Sequence, residues 1–159
     1  MMRAYVGLGA NLGQPARQVQ AALEALRGIG SVVAVSPFYC SQPIGPGEQP
    51  DYCNAVCVLD TELPPEPLMQ ALLAIERTAG RVRDGLKWQA RPLDLDLLHI
   101  PGVNLQTPLL QLPHPGIAAR NFVLVPLADI APDLEIPGIG CVAAAAAILG
   151  HRGLRAWRD

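Results

Sequence analysis

The chain has 159 residues, of which 50% are hydrophobic and 16% are charged, and its formal net charge is −2. A chain of this length can bury its own core, and its apolar content is too high for disorder, so we predict a single domain over residues 1–159. The slightly negative charge argues against nucleic-acid binding, and no apolar run is long enough to span a membrane. We therefore expect a cytoplasmic protein.

The first strand pattern leads into a glycine-rich segment. Residues 4–8 are predicted to form a strand that runs into Gly7, Gly9 and Gly13. This spacing matches neither a Walker A loop, which needs Gly-Lys-Ser/Thr, nor a dinucleotide-binding loop, whose third glycine comes one position earlier. We interpret the segment as a tight connection between a strand and a helix, because glycine allows backbone conformations that other residues avoid. Close approach of this backbone to a ligand stays open.

Apolar residues at helical spacing predict two helices in the first half of the chain. The first begins at Pro15 and is closed by Gly28 and Gly30. The second begins at residues 64–66 and ends at Gly80. The predicted buried stripes consist of Val19, Leu23, Leu26 and Ile29 in the first helix and of Leu68, Leu72 and Ile75 in the second.

Three later segments have the composition and alternation of strands. Residues 32–39 predict a second strand, in which Pro37 marks an edge or an end. Residues 52–60 predict a third strand, and a fourth begins at Asp94. Side chains alternate between the two faces of a strand. One face of the third strand therefore carries Tyr52, Asn54, Val56 and Val58, and the other carries Cys53, Ala55, Cys57 and Leu59.

The predicted order of elements is β-α-β-β-α-β, which is typical of an α+β fold with a ferredoxin-like core. Residues 119–128 and 141–149 predict two additional carboxyl-terminal helices. These helices would add a layer and complete a three-layer α/β/α sandwich. The four cysteines form no CxxC and no zinc-binding spacing with the histidines, so we expect small buried or half-buried thiols in a reducing compartment.

The fourth strand begins with Asp94 and Asp96, which alternate with leucines. Residues two apart on a strand point to the same face, which puts the two carboxylates about 7 Å apart. Mg²⁺ prefers carboxylate and phosphate oxygens, and a buried pair of like charges needs a positive partner. Arg91, three residues upstream, adds planar donors that suit phosphate. The pair indicates a metal and phosphate site, although its spacing alone also fits the solvated face of an edge strand.

A basic segment separates the second helix from the fourth strand. Five of the twelve basic residues lie within residues 77–91, where Asp84 is the one acid. Glycines in the segment would allow it to move, and Trp88 adds an aromatic side chain. A solvated charge run is the simpler interpretation, but the neighbouring Asp94 pair favours a cationic lid over a polyphosphate. Glu76, beside the apolar stripe of the second helix, is either a rim residue or a ligand contact.

Six segments together carry the motifs of one known family. They are residues 5–13 (YVGLGANLG), 45–56 (GPGEQPDYCNAV), 80–83 (GRVR), 91–96 (RPLDLD), 112–115 (LPHP) and 120–127 (RNFVLVPL). In order and spacing they resemble 6-hydroxymethyl-7,8-dihydropterin pyrophosphokinase, a family of folate-pathway enzymes. The resemblance covers nearly the whole chain, so it is far more specific than an Asp-x-Asp pair.

The resemblance implies an enzyme that transfers the β,γ-pyrophosphoryl group of ATP to the hydroxymethyl group of 6-hydroxymethyl-7,8-dihydropterin and releases AMP. It implies two Mg²⁺ ions, bound by Asp94 and Asp96, that would neutralise the triphosphate and hold the hydroxyl in line with the β-phosphorus. ATP and the pterin are the binding partners that it implies. We expect a monomer, since no exposed apolar stripe stands out in the sequence.

By the same resemblance, the pterin would stack between Tyr52 and Phe122, because aromatic faces suit a flat bicyclic ring. Asn54 matches the residue that binds the polar edge of the pterin. It lies on the same predicted strand face as Tyr52, as one pocket requires. Further pterin contacts are implied for the backbone at Ser41, Pro43 and Ile44, and for Trp88.

The resemblance also assigns residues to the phosphate and nucleotide end of the site. It implies catalytic roles for Arg81, Arg83, Arg91, Asp94 and Asp96. It implies ATP contacts for Glu76, Arg83, Trp88, Arg91, the backbone at Leu97, His114 and Arg120. The chain departs from the usual residues of the family at positions 41, 42, 89, 90, 116, 118 and 119.

Two other functions fit parts of the pattern. A different Mg²⁺-dependent phosphotransferase or nucleotide hydrolase would use the carboxylates and arginines without needing Tyr52, Asn54 and Phe122. A ferredoxin-like binding domain for RNA or nucleotides would expose aromatic residues on its sheet beside positive charge. The net charge of −2 and the paired carboxylates argue against RNA binding, because they repel a phosphate backbone unless a metal intervenes. Magnesium dependence would separate the enzymes from the RNA-binding domain.

Overall fold

The computed structural model describes residues 1–42, 50–79 and 93–158. Within these ranges an antiparallel sheet of six strands combines with four α-helices, which confirms the predicted α+β class. In chain order the elements are β1 (Met2–Ala10), α1 (Pro15–Leu26), β2 (Ser31–Val35), β3 (Tyr39–Ser41), β4 (Tyr52–Thr61), α2 (Pro65–Thr78), β5 (Asp94–His99), β6 (Leu105–Gln106), β7 (Gln111–Leu112), α3 (Asn121–Ile130), β8 (Glu135–Ile136), β9 (Gly140–Cys141), α4 (Val142–Leu149) and β10 (Leu154–Ala156).

The long strands β1 and β4 form the centre of the main sheet. They pair along the whole of β1, from Met2 opposite Thr61 to Ala10 opposite Cys53. β5 pairs with the other side of β1, while β2 and β3 both pair with β4, and β10 pairs with β3. The order across the sheet is β10-β3-β4-β1-β5, so the strand that bears the two aspartates lies beside the glycine-rich strand.

Alternation along the central strands sends side chains into two cores on opposite faces of the sheet. One core joins Val6 and Leu95 to residues of α1 and α2. The other joins Tyr5 and Leu98 to residues of α3 and α4. The two faces of β4 are divided as predicted, with Cys53, Ala55, Cys57 and Leu59 in the first core and Val56 and Val58 in the second.

The prediction of one strand over residues 32–39 is wrong. β2 and β3 are separate strands, and the interruption between them contains Ser36 and Pro37. Pro37 has no N–H to donate to a strand ladder. Ser36 bonds to the neighbouring strand instead, where its Oγ accepts a hydrogen bond from the Val56 N–H (2.9 Å). Both strands pair with β4, so the main sheet continues through the break.

Two details of the predicted helices also differ. The helix predicted over residues 119–128 begins later, because Ile117–Ala119 form a short 3-10 helix and Arg120 has an extended backbone before α3. In α2, Ile75 is half-buried while the next residue, Glu76, is only 4% exposed. The buried side of α2 therefore includes a carboxylate that points toward the sheet.

The sequence pattern does not predict β10, the strand that extends the sheet beyond β3. Two contacts hold this segment in place. The Trp157 N–H donates a hydrogen bond to the Phe38 carbonyl oxygen (2.9 Å), and the Arg155 guanidinium lies 3.2 Å from the Asp51 carboxylate. The segment therefore supports β3 along the side that faces away from β4.

The cysteines have the environment predicted for them. Cys40, Cys53 and Cys57 are buried, Cys141 is half-buried, and none of the four takes part in a disulfide. Burial raises the pKa of Cys57 to about 12, which keeps its thiol neutral and unreactive. Among the described residues, no helix combines the length and apolar character that crossing a bilayer requires.

A buried histidine makes the stability of this fold depend on pH. His99 is 2% exposed and stacks on Tyr5, with ring centroids 6.1 Å apart, and its Nδ1 has no hydrogen-bond partner within the described ranges. Burial lowers the pKa of His99 below its ordinary value of 6.5. The folded protein therefore holds the neutral ring, while the unfolded chain takes up a proton as the pH falls through about 6.5.

We predict that the free energy of unfolding decreases below pH 6.5, by up to about 1.4 kcal/mol per pH unit for this one proton. Urea titrations between pH 5 and 8 would measure the decrease. His99→Phe keeps a ring on Tyr5 but cannot titrate, so its stability should depend less on pH. His151→Gln, at an exposed position, is the control. An unchanged pH dependence in His99→Phe would contradict the prediction.

Candidate active site

A cavity of about 220 Å³ opens on the face of the sheet that carries α3. Its floor is formed by β1, β4 and β5, and its side wall by residues at the start of α3. The sequence predictions placed candidate ligand contacts on β4, on β5 and at the start of α3, and left one open for β1. The cavity brings together Ser41, Tyr52, Asn54, Asp94, Asp96, Arg120 and Phe122.

Two glycines of β1 create the floor of this cavity. In the register of the sheet, Gly9 lies between Asn54 on one side and Asp94 on the other, and Gly7 lies next to Asp96 in the same way. A side chain at either glycine would project from the face that the cavity occupies. A Cβ built on Gly9 would lie 3.1 Å from Asn54 Nδ2. The missing side chains therefore leave room between the amide and the carboxylates.

This finding corrects the interpretation of the glycine-rich segment as a connection. Gly7 and Gly9 belong to β1, and only Gly13, with a φ of 61°, lies in the turn that leads to α1. The alternative that the sequence left open, backbone beside a ligand, fits their place in the cavity lining. Glycines two residues apart share one face of a strand. The spacing of Gly7 and Gly9 was the feature of the sequence that indicated a strip without side chains on this face of β1, which we call the bare strip.

The two aspartates occupy the same face of β5, as their spacing predicted. Asp94 and Asp96 both line the cavity, whereas Leu95 and Leu97 between and after them are buried in the core on the other face. The Asp96 side chain is 41% exposed. Within the described ranges, no group of three or more histidine, cysteine and acidic side chains could enclose a metal. A pair of carboxylates open to a cavity suits Mg²⁺, which keeps water and phosphate oxygens among its ligands.

Two basic side chains lie close to Asp96. His114 Nε2 lies 3.8 Å from Asp96 Oδ1, and Arg120 Nη1 lies 4.0 Å from Asp96 Oδ2. Both distances exceed those of a hydrogen bond, so neither group closes on the carboxylate. The site thus presents negative and positive groups side by side, an arrangement that can hold a metal and a phosphate chain together.

The protonation of His114 follows from its contacts. Its Nδ1 accepts a hydrogen bond from the Gly116 N–H (3.0 Å), which leaves Nε2 to carry the proton toward Asp96. Burial lowers the pKa of His114 and Arg120 lowers it further, while Asp96 acts in the opposite direction. The His114 N–H also donates to the Leu98 carbonyl oxygen (2.8 Å), which fixes the residue against β5. A neutral His114 therefore offers one N–H donor to the site.

Arg120 and Phe122 share the side wall of the cavity. The Arg120 guanidinium carbon lies 5.8 Å from the centre of the Phe122 ring, a cation–π distance. The guanidinium also fills the space where a side chain at Gly116 would stand, because a Cβ built there would lie 2.8 Å from the guanidinium carbon. The glycine at this position leaves that space to the guanidinium.

Three candidates for ATP contacts, namely Glu76, Leu97 and His114, have their side chains outside the cavity lining. Glu76 lies between α2 and β5, where its Oε2 accepts a hydrogen bond from the Leu95 N–H (2.7 Å). The side chain of Leu97 is 1% exposed and belongs to the core, so only its backbone could meet a ligand, as the resemblance implies. Other candidates, namely Pro43, Ile44, Arg81, Arg83, Trp88 and Arg91, lie outside the described residues.

A comparison with protein families identifies the chain. The profile of one family, described as 7,8-dihydro-6-hydroxymethylpterin-pyrophosphokinase (HPPK), matches residues 5–132. The chain belongs to the HPPK family. It is 51% identical to a 2-amino-4-hydroxy-6-hydroxymethyldihydropteridine pyrophosphokinase of Pseudomonas aeruginosa over 139 residues, which cover 86% of this chain and 85% of that protein. A Haemophilus influenzae protein of the same name is 45% identical over 139 residues, with 86% of each chain covered.

Solved structures of longer HPPK-containing proteins have the same fold. The crystal structure of Plasmodium falciparum HPPK-DHPS with pteroate matches 92% of this chain with a TM-score of 0.72 and 12% identity. An HPPK-DHPS complex with substrates matches 98% of it with a TM-score of 0.75 and 11% identity. The present chain spans only 42% and 46% of those two chains. At such low identity the likeness concerns the fold alone.

The contact between Glu76 and β5 generates a prediction about stability. We expect Glu76→Ala to lower the free energy of unfolding by about 1–3 kcal/mol, because the substitution removes a buried acceptor from the Leu95 N–H. Glu76→Gln should cost less, since its amide oxygen can still accept that bond. Urea denaturation would measure both values. Glu62→Ala, at an exposed position, is the control, and a Glu76→Ala protein as stable as this control would contradict the prediction.

Proposed function

We propose that this protein transfers the pyrophosphoryl group of ATP to the hydroxymethyl group of 6-hydroxymethyl-7,8-dihydropterin, a step of folate biosynthesis that yields AMP and the pterin diphosphate. One observation carries the proposal. A single cavity joins the aromatic and amide groups of Tyr52, Asn54 and Phe122 to the carboxylates of Asp94 and Asp96 and the guanidinium of Arg120. His114 lies beside this cavity, with its Nε2 3.8 Å from Asp96 Oδ1. This combination suits a flat polar ring that carries a group to be phosphorylated.

The aromatic end of the cavity would bind the pterin. Tyr52 and Phe122 stand on β4 and at the start of α3, so their rings approach the cavity from different elements. Stacking between them would bury both faces of a bicyclic ring. Asn54, 7% exposed on the floor, would hydrogen-bond to the polar edge of the ring. In this proposal the backbone at Ser41, Pro43 and Ile44 and the side chain of Trp88 add contacts around the same ring.

The carboxylate end would bind the phosphates with magnesium. Asp94 and Asp96 would hold two Mg²⁺ ions, and their shared face of β5 supports this assignment. Bound magnesium supplies charge neutralisation for the triphosphate and orients the reacting groups in line. The two carboxylates are carried on a paired strand, so their positions are set before any ligand binds.

The two basic residues beside Asp96 would bind ATP. His114, which is neutral and donates through Nε2, and the permanently charged Arg120 are placed to contact phosphate oxygens that approach Asp96. We assign a further ATP contact to the backbone at Leu97. Glu76 would act on ATP only indirectly, through its hydrogen bond to the backbone of β5. In the proposal, Arg83, Trp88 and Arg91 also contact ATP, and Arg81, Arg83 and Arg91 act on the transferred group.

The proposal includes the architecture that the sequence predicts. Taking β2 and β3 together as one strand, the core follows the order β-α-β-β-α-β, which supports a ferredoxin-like description. The two cores lie on opposite faces of one sheet, which supports a single domain over residues 1–159. A cytoplasmic monomer that binds neither nucleic acid nor membrane remains a prediction from the sequence.

The decisive experiment identifies the nucleotide product. The protein would be incubated with ATP, Mg²⁺ and 6-hydroxymethyl-7,8-dihydropterin, and the nucleotides separated by chromatography. We expect AMP, formed only when both the pterin and the metal are present. ADP would instead indicate another phosphotransferase. AMP or ADP formed without the pterin would indicate a nucleotide hydrolase, and either result would contradict the proposal.

Removing either carboxylate should stop the reaction without unfolding the protein. We predict that Asp94→Asn and Asp96→Asn each lower kcat at least about a hundredfold, because metal stabilisation of the transferred charge is worth several kcal/mol. Thermal unfolding should stay near that of the wild type, since both side chains face the cavity. Asp133→Asn, at an exposed position, is the matched control. Normal turnover in either cavity variant would refute the metal assignment.

A further inference from the structure

Ser41 is held rigidly at the edge of the cavity. It is the last residue of β3, where it lies opposite Tyr52 of β4 on one side and Leu154 of β10 on the other. It is 6% exposed and lines the cavity. A serine whose backbone is paired on both sides has little freedom to move, so its hydroxyl has a defined position relative to the neighbouring strand.

That hydroxyl makes a buried hydrogen bond to the side chain of Asn54. Ser41 Oγ donates to Asn54 Oδ1 across β3 and β4. The two residues are diagonal neighbours, because Ser41 is opposite Tyr52 and Asn54 is opposite Tyr39. A hydroxyl that donates to the amide oxygen leaves the amide nitrogen on the other side of the group.

The other end of the amide faces the bare strip of β1. Asn54 Nδ2 is the atom closest to the position of a Cβ built on Gly9, at 3.1 Å. Within the described residues Nδ2 has no hydrogen-bond partner, and the residue lines the cavity. Both N–H bonds of the amide are therefore available to a ligand there, while its oxygen is already engaged.

We propose that Ser41 is a positioning residue, whose hydroxyl fixes the Asn54 amide with its nitrogen toward the cavity. The inference rests on the proposed function, because it concerns how the pterin is recognised. The fixed amide presents a donor, so it selects a ring that places an acceptor, an oxo group or an unprotonated ring nitrogen, against Asn54. Without the hydroxyl, the amide can rotate and present its oxygen, which would repel the same acceptor.

The surroundings of Asn54 suit the presentation of its amide nitrogen in size as well as in chemistry. Gly9 leaves the amide nitrogen enough room, and even an alanine there would crowd it. The amide is thus bounded by a donor at its oxygen and by open space at its nitrogen. Loss of the hydroxyl changes only the first of these, so it should weaken ring binding while leaving the carboxylate end intact.

The test compares Ser41→Ala, Ser41→Thr, Asn54→Ala and the Ser41→Ala/Asn54→Ala double variant. Affinity for 6-hydroxymethyl-7,8-dihydropterin would be measured by equilibrium binding, and KM and kcat by AMP formation. We expect Ser41→Ala to raise the Kd and KM for the pterin about tenfold, with the KM for ATP unchanged. Ser41→Thr, which retains the hydroxyl on a β-branched side chain that suits a strand, should stay within about threefold of the wild type.

The double variant shows whether Ser41 acts through Asn54. If it does, Ser41→Ala should add nothing to the loss already caused by Asn54→Ala. Three results would overturn the proposal. They are a tenfold loss of pterin affinity on Ser41→Ala in both backgrounds, no loss of affinity in Ser41→Ala, and equal losses of affinity in Ser41→Ala and Ser41→Thr. Failure of the proposed function looks different, because the wild type itself would then neither bind the pterin nor form AMP, and both proposals would fall together.

Discussion

The absence of side chains at Gly7 and Gly9 is the constraint on which the rest of the site depends. These glycines stand in the central strand of the sheet, between the strand that carries Asn54 and the strand that carries Asp94 and Asp96. Side chains on neighbouring strands of one face lie within contact distance, so a residue of ordinary size there would fill the space between the amide and the carboxylates. The bare strip turns a flat sheet face into a cavity without breaking the backbone pairing beneath it.

The sheet also holds the amide of Asn54 and the carboxylates of Asp94 and Asp96 on different strands, at a fixed distance from each other. Tyr52 and Asn54 belong to β4 and the carboxylates belong to β5. Phe122 and the two basic groups come from the segment around α3. Because Tyr52, Asn54 and the two aspartates are carried on paired strands, and His114 is hydrogen-bonded to β5, little reorganisation of these groups is needed when a ligand binds. Glu76 contributes from outside the cavity by bonding to the backbone of β5.

Small polar contacts at the rim decide what the cavity can recognise. Asn54 can present either a donor or an acceptor, and its neighbours determine which one a ligand meets. Ser41 engages the oxygen, and the hydroxyl is kept in place by strands on both of its sides. Strand β10, from the far end of the chain, therefore contributes to the site without contacting it.

Local patterns in the sequence were enough to predict the class of fold, the faces of β4 and the shared face of Asp94 and Asp96. These features depend on alternation along a single strand, which is a property of neighbouring residues. Which strands lie side by side depends on the whole chain, so the sequence did not reveal that Gly9 separates Asn54 from Asp94. It also misjudged the break at Ser36 and Pro37, the burial of Glu76 and the addition of β10, because each is decided by a partner distant in sequence. Residue types and their order determined the chemistry available to this protein, and tertiary structure decided the distances between those groups, since only packing brings remote strands together.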